Sequence, residues 1–201
     1  MAPYTQHKEP VKHFEDINYI MKKVYIGVDP GLSGAIVGLD PDGRLLFYSD
    51  TPVIADKGKK HLNIQGLVNW FNEMLEEHSE KSDGEWDALA FIEEVNAMPK
   101  QGVVSTFRFG QVVGSLQATL QALGIPWQSV RPLRWKRAML TGAGPLKEKS
   151  TSVLVASRIW RGLPLDRKKD HNRAEAALIA EFGRKIDITA QKWADETGDQ
   201  A

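Results

Sequence analysis

The sequence predicts an α/β fold built on a mixed five-stranded sheet, three antiparallel strands first and then alternating helices and strands, with helices on both faces. Three observations predict it. Short β-rich runs separated by Asp-Pro-Gly and Asp-Pro-Asp-Gly turns fill residues 24–48. From residue 63 onward, apolar residues recur at helical spacing in blocks separated by short buried-strand patterns. A chain of 201 residues with 42% apolar and 26% charged side chains suits one globular domain, neither disordered nor fibrous.

Each element has its own signal. Val24–Val28, Gly34–Leu39 and Leu45–Tyr48 form the meander. Leu67, Val68, Phe71 and Leu75 place an amphipathic helix over 63–78, and Leu89–Ile92 reads as a fully buried strand. Phe109, Val112, Val113, Leu116, Leu120 and Leu123 make the clearest helix, closed by Gly124. Trp127–Val130 is the fifth strand. Ser150 is placed to cap a helix carrying Val153, Val155 and Ile159, with Gly162 after it, and an alanine-rich helix runs from Asp170 to about Lys185. Residues 1–20 show little periodicity and read as an arm, 21–186 as the folded domain and 187–201 as a C-terminal tail.

Composition excludes several classes of function. With no cysteine there is no disulfide framework, thiolate metal site or thiol nucleophile. No run approaches the roughly 18 apolar residues of a membrane helix. Glu9, Glu15 and Asp16 interrupt a first segment that has no apolar core, so it reads as neither a signal nor a transit peptide. The expectation is a cytoplasmic protein with no membrane partner. The 26 basic and 26 acidic residues cancel overall, but residues 1–100 carry −7 and residues 101–201 carry +7. Residues 130–185 alone carry +9, which marks a face for a polyanion or a set of solvated helix faces.

Four acidic positions are out of place for a solvated surface. Asp29 ends a buried strand beside a sharp turn, where either backbone-bonding or chemistry puts a carboxylate. Glu93 and Glu94 follow Leu-Ala-Phe-Ile, and strand alternation sends them to opposite faces, so only one points where Asp29 points. Glu175 lies among alanines on the last helix, with His171 four residues and Asn172 three residues before it on neighbouring positions. Asp29, Glu93 and Glu175 together would suit hard divalent cations, two of which could clamp the attacking water and leaving oxygen of a phosphodiester. The basic stretch would then hold a nucleic-acid backbone.

The run Ile26-Gly27-Val28-Asp29-Pro30-Gly31, the strand end Ile92-Glu93-Glu94-Val95 and the late Asp170-His171-Asn172-Arg173-Ala174-Glu175-Ala176-Ala177-Leu178-Ile179-Ala180 resemble, in order and spacing, the RuvC family of Holliday junction resolvases over about residues 22–185. Pro99–Ser105 and Arg131–Arg137 resemble the plant chloroplast resolvase branch. The resemblance implies an RNase H-like nuclease domain and a homodimer. It also implies a crossover junction endodeoxyribonuclease, serving DNA recombination and repair, that makes paired symmetric nicks in four-way DNA with two Mg2+ or Mn2+ ions per active site. Carried over by position, Asp29, Glu93, His171 and Glu175 are the catalytic and metal-binding residues. Glu94 stands where the family often has glutamine. At the fourth position His171, Asp170 and Asn172 all remain candidates, and a His171 contact would favour Mn2+ or serve proton transfer. Lys100, Gln101, Lys136, Lys147 and Lys149 are the expected DNA contacts, the last two in a Gly-rich loop at a helix start. That loop, Gly142–Ser150, lacks the spacing of an ATP-binding loop, so no nucleotide cofactor is expected. The family's junction-opening aromatic is replaced by Asn96, which leaves Met98 or Phe107 for that part.

Other readings keep the fold and change the substrate to duplex or an RNA–DNA hybrid, or remove the chemistry and leave a non-catalytic junction-binding protein. An actin-like ATPase would need two such domains, more than this length provides.

Overall fold

The computed structural model describes residues 22–81, 86–96 and 102–197. Strands β1 (Lys22–Asp29), β2 (Ala35–Leu39) and β3 (Leu45–Asp50) form the meander; a hairpin of β4 (Val53–Asp56) and β5 (Lys59–Leu62) follows. Then come α1 (Ile64–Lys81), β6 (Trp86–Glu93), α2 (Val103–Ala122), β7 (Trp127–Val130), α3 (Pro132–Leu140), α4 (Lys149–Ile159), a 3-10 turn at Lys168–Asp170, and α5 (His171–Thr197). The main sheet has the order β3-β2-β1-β6-β7. Its first three strands are antiparallel, and β1, β6 and β7 run parallel. This is the five-stranded mixed sheet the sequence predicts, with helices on both faces.

Strand alternation divides the core into two layers. Val24, Ile26 and Val28 of β1, with Ala88, Ala90 and Ile92 of β6, pack beneath Leu67 and Phe71 of α1 and Leu116 and Leu120 of α2. Tyr25 of β1 and Leu89 and Phe91 of β6 face the other way, onto α3, α4 and the alanine-rich side of α5. Asp29 and Glu93 fall on this second face, continuing Tyr25–Gly27 and Leu89–Phe91.

The second layer depends on close contact. A Cβ on Gly27 would lie 1.9 Å from the Ala176 carbonyl oxygen and 2.4 Å from the Ala180 nitrogen, so the backbone of α5 rests directly on β1. Further along, Asp187 accepts from the Tyr25 hydroxyl and the Lys23 ammonium, both at 2.9 Å. These contacts run α5 antiparallel to β1 and bring its first turns to the end of β1 that carries Asp29.

Several boundaries differ from expectation. The last helix continues to Thr197 instead of stopping near Lys185, because Ile186 packs against the core and Asp187 is tied to β1. Helix α2 starts at Val103, six residues before its first periodic apolar residue. The cap of α4 is Glu148, while the Ser150 hydroxyl lies 3.5 Å from the Glu148 carboxylate and caps nothing. The β4–β5 hairpin and α3 carried no distinct signal: the hairpin is almost wholly exposed, and α3 reads in sequence as a basic block. No helix among the described residues is long and apolar enough to cross a membrane.

Gly27→Ala is expected to destabilise the protein by about 3 kcal/mol or more, the upper range for overpacking, because backbone cannot move aside as a side-chain tip can. Urea unfolding measures it; a loss below about 1 kcal/mol would contradict the contact.

Candidate active site

Parallel pairing of Val28 with Ile92 makes Asp29 and Glu93 lateral neighbours at the carboxyl ends of adjacent strands, the usual place for chemistry in such sheets. The turn after Asp29 is tight: a Cβ on Gly34 would lie 2.0 Å from the Asp29 carbonyl oxygen. Glu175 reaches the same place from α5, buried to 8% exposure. Of the two strand-end glutamates, Glu93 is the one on the Asp29 face. Glu94 is half-exposed and 3.6 Å from Arg131.

Helix α3 closes over this group. Fully buried Trp135 donates its indole N–H to Glu93 Oε1 at 2.9 Å. The Lys136 ammonium donates to Glu175 Oε1 at 3.1 Å, and the Ser152 hydroxyl reaches the same oxygen at 3.3 Å. Burial, with the charges of Glu175 and Glu93, pushes the Asp29 carboxyl well above its ordinary value against the pull of Lys136 and Lys149. Burial also raises Glu93, although the Trp135 hydrogen bond and Lys136 oppose it. These are coupled carboxylates with too little positive charge between them.

The remaining candidates are distributed around the centre. His171 Nδ1 donates to the Lys168 carbonyl oxygen at 2.8 Å, so its Nε2 accepts from the Lys149 ammonium at 2.7 Å. Asn172 donates its amide to the Ser33 carbonyl oxygen and so clips α5 to the β1–β2 turn. Asp170 is buried in an ion-pair network instead: burial works to raise its carboxyl, but hydrogen bonds from Arg167 hold it below the ordinary value. Arg167, Lys169 and Arg173 also converge on Asp50 at the end of β3, fixing the start of α5. Lys147 is exposed in the loop before α4. Phe107 is 66% exposed on α2. Lys100, Gln101 and Met98 lie outside the described residues.

Beside the carboxylates lies a cleft of about 650 Å³, lined by the β1–β2 turn, by Ser105, Arg108 and Phe109 of α2, and by Lys149, Lys168 and His171. Sequence reasoning did not single out Trp135, Ser152 or Arg108. Trp135 and Arg108 sit inside helical or basic patterns with ordinary explanations, and Ser152 is one hydroxyl in a run of three. Only the fold shows what they touch.

The donor set is carboxylate oxygen throughout, the ligand chemistry that hard divalent cations such as Mg2+ and Mn2+ take, and its charge is incompletely neutralised. As the side chains lie, no three His, Asp or Glu groups among the described residues stand close enough together to hold an ion. Lys136 stands among them.

Fold and site together define an α/β protein with a mixed five-stranded sheet and an acidic centre at its parallel strand ends. No protein-family model and no curated protein matches the chain. Among solved structures it is similar to Thermus thermophilus RuvC in complex with a Holliday junction substrate, at 18% identity and a TM-score of 0.49, covering 80% of this chain and 90% of that one. A second Thermus thermophilus RuvC structure matches at 19% identity and 0.48, covering 80% and 91%. The ethanolamine utilization protein EutJ from Carboxydothermus hydrogenoformans matches at 11% and 0.35, covering 89% and 74%.

Carboxylates whose folded pKa is raised destabilise the fold once ionised: the penalty is absent below their unfolded values near 4 and complete above the raised ones. Asp29→Asn is therefore expected to raise the melting temperature of the metal-free protein at pH 8 by about 2–4 °C, equivalent to roughly 1 kcal/mol. Near pH 4 that gain should vanish. Calorimetry at the two pH values checks it, and no gain at pH 8 would contradict the coupling.

Proposed function

We propose that the chain is a metal-dependent, structure-specific endonuclease that resolves four-way DNA junctions by paired symmetric nicks, acting as a homodimer. The observation that carries this reading is the approach of Asp29, Glu93 and Glu175 from two adjacent strands and a helix, with Asp29 also lining a cleft that carries Arg108, Lys149 and Lys168. The order and spacing of the three RuvC-like motifs support the choice of a junction as substrate.

Asp29, Glu93 and Glu175 would hold the divalent ions. When bound, such ions acidify an attacking water and neutralise charge that builds on the scissile phosphate. The protein does the rest. Trp135 fixes the orientation of Glu93 through its indole N–H. Asn172 holds the β1–β2 turn, and with it Asp29, against α5. Arg108, Lys149 and Lys168 line the cleft as donors for backbone phosphates, which bind cations at whatever sequence they occur. His171 Nε2, now accepting from Lys149, is a proton acceptor beside Asp29 when Lys149 turns to a phosphate.

The test is incubation of labelled four-way junction, linear duplex and RNA–DNA hybrid with the protein, with and without Mg2+ or Mn2+. Paired symmetric nicks confined to the junction are expected. Equal cutting of duplex or hybrid would overturn the substrate, and binding without nicking in Mn2+ would leave a non-catalytic junction binder. Asp29→Asn should abolish nicking while junction affinity stays the same or rises. Lys149→Ala should weaken junction binding and reduce its salt slope by about 1; an unchanged slope, read from filter binding, would remove Lys149 from the phosphate contacts.

A further inference from the structure

The Lys136 ammonium lies where a cation belongs. It donates to Glu175 Oε1 at 3.1 Å with its side chain only 22% exposed, and its charge acts on Asp29 and Glu93 too. It is also held from behind. The ammonium is 5.0 Å from the centroid of the buried Trp135 ring, on a helix opened by Pro132 and anchored by buried Trp135 and Leu140. Glu175 Oε1 already accepts from Lys136 and from Ser152, so that oxygen is committed. Among the described residues, Lys136 is the one ammonium in hydrogen-bond contact with Glu175 and, with the more distant Lys149, only partly neutralises the three carboxylates. A divalent ion entering this space would meet both an occupied ligand oxygen and a like charge within contact distance.

We propose that Lys136 is the resident counter-ion of the acidic centre, competing with divalent cations for Glu175 and leaving it when they bind. This rests on the reading that Asp29, Glu93 and Glu175 hold such ions. It also orders two events. Lys136 is committed to Glu175 in the metal-free protein, so it becomes a donor for a DNA phosphate only after ions have taken its place.

Two measurements on the full chain test it. The first is Mn2+ binding by isothermal titration calorimetry to the wild type, Lys136→Met and Lys136→Gln, with folding of each checked by circular dichroism. Both variants should bind Mn2+ about tenfold more tightly or better, since a like charge at the site is gone. The second uses the wild type alone: acetylation of Lys136 by acetic anhydride, followed by peptide mass spectrometry. Lys136 should react slowly without metal and several-fold faster in saturating Mn2+, while exposed Lys192 on α5 keeps one rate. If the wild type binds Mn2+ but the variants bind no tighter, or Lys136 labelling does not speed up, the inference is overturned and the metal-centre reading stands. If the wild type binds no Mn2+, that reading fails and the inference fails with it.

Discussion

The backbone of α5 lies directly on β1 because Gly27 has no side chain to hold it off, and the Ala176 carbonyl and Ala180 amide fill the space a Cβ would take. Asp29 is two residues beyond Gly27 on the same strand face, and Glu175 directly precedes Ala176. A separation of backbones therefore becomes a separation of carboxylates. The pairing of β1 with β6 adds Glu93 to the same edge. Tyr25 and Lys23 on Asp187 at one end, and Asn172 on Ser33 at the other, stop the helix from sliding along the strand.

Such proximity is unfavourable by itself. Carboxylates that are partly desolvated and beside one another repel, and burial of an unpaired charge costs several kcal/mol. The fold offsets this with donors from two helices. Trp135 and Lys136, adjacent on α3, engage Glu93 and Glu175 respectively, and Ser152 on α4 adds a third donor. These donors reduce the strain without removing it, as the raised carboxyls of Asp29 and Glu93 show. The site thus keeps uncompensated negative charge, while the wall of the neighbouring cleft carries the positive charges of Arg108, Lys149 and Lys168. The zero net charge of the chain conceals both.

The sheet was legible because its short β-rich runs, Val24–Val28, Gly34–Leu39 and Leu45–Tyr48, are set off by Asp-Pro-Gly and Asp-Pro-Asp-Gly turns, and Leu89–Ile92 is apolar throughout. Asp29, Glu93 and Glu175 stood out because a carboxylate after a buried run or amid alanines needs a reason to be there. The β4–β5 hairpin carried little signal because it buries little. The reach of α5 to Thr197 was hidden because Asp187 makes its contacts with Lys23 and Tyr25 across more than 160 residues of chain. Lys136 shows the same limit most sharply. In sequence it belongs to a basic block that reads as a DNA contact, whereas in the fold its ammonium is turned onto Glu175. Charge composition identifies a partner's sign; only packing identifies the partner.

We propose that Asp29, Glu93 and Glu175 form one cation-binding centre. Anomalous diffraction at the manganese edge from crystals of the full chain grown with Mn2+ tests it most directly. Anomalous peaks are expected within ligand distance of all three carboxylates, with Lys136 withdrawn from Glu175. Manganese bound elsewhere while the Lys136–Glu175 contact persists at full occupancy would contradict it.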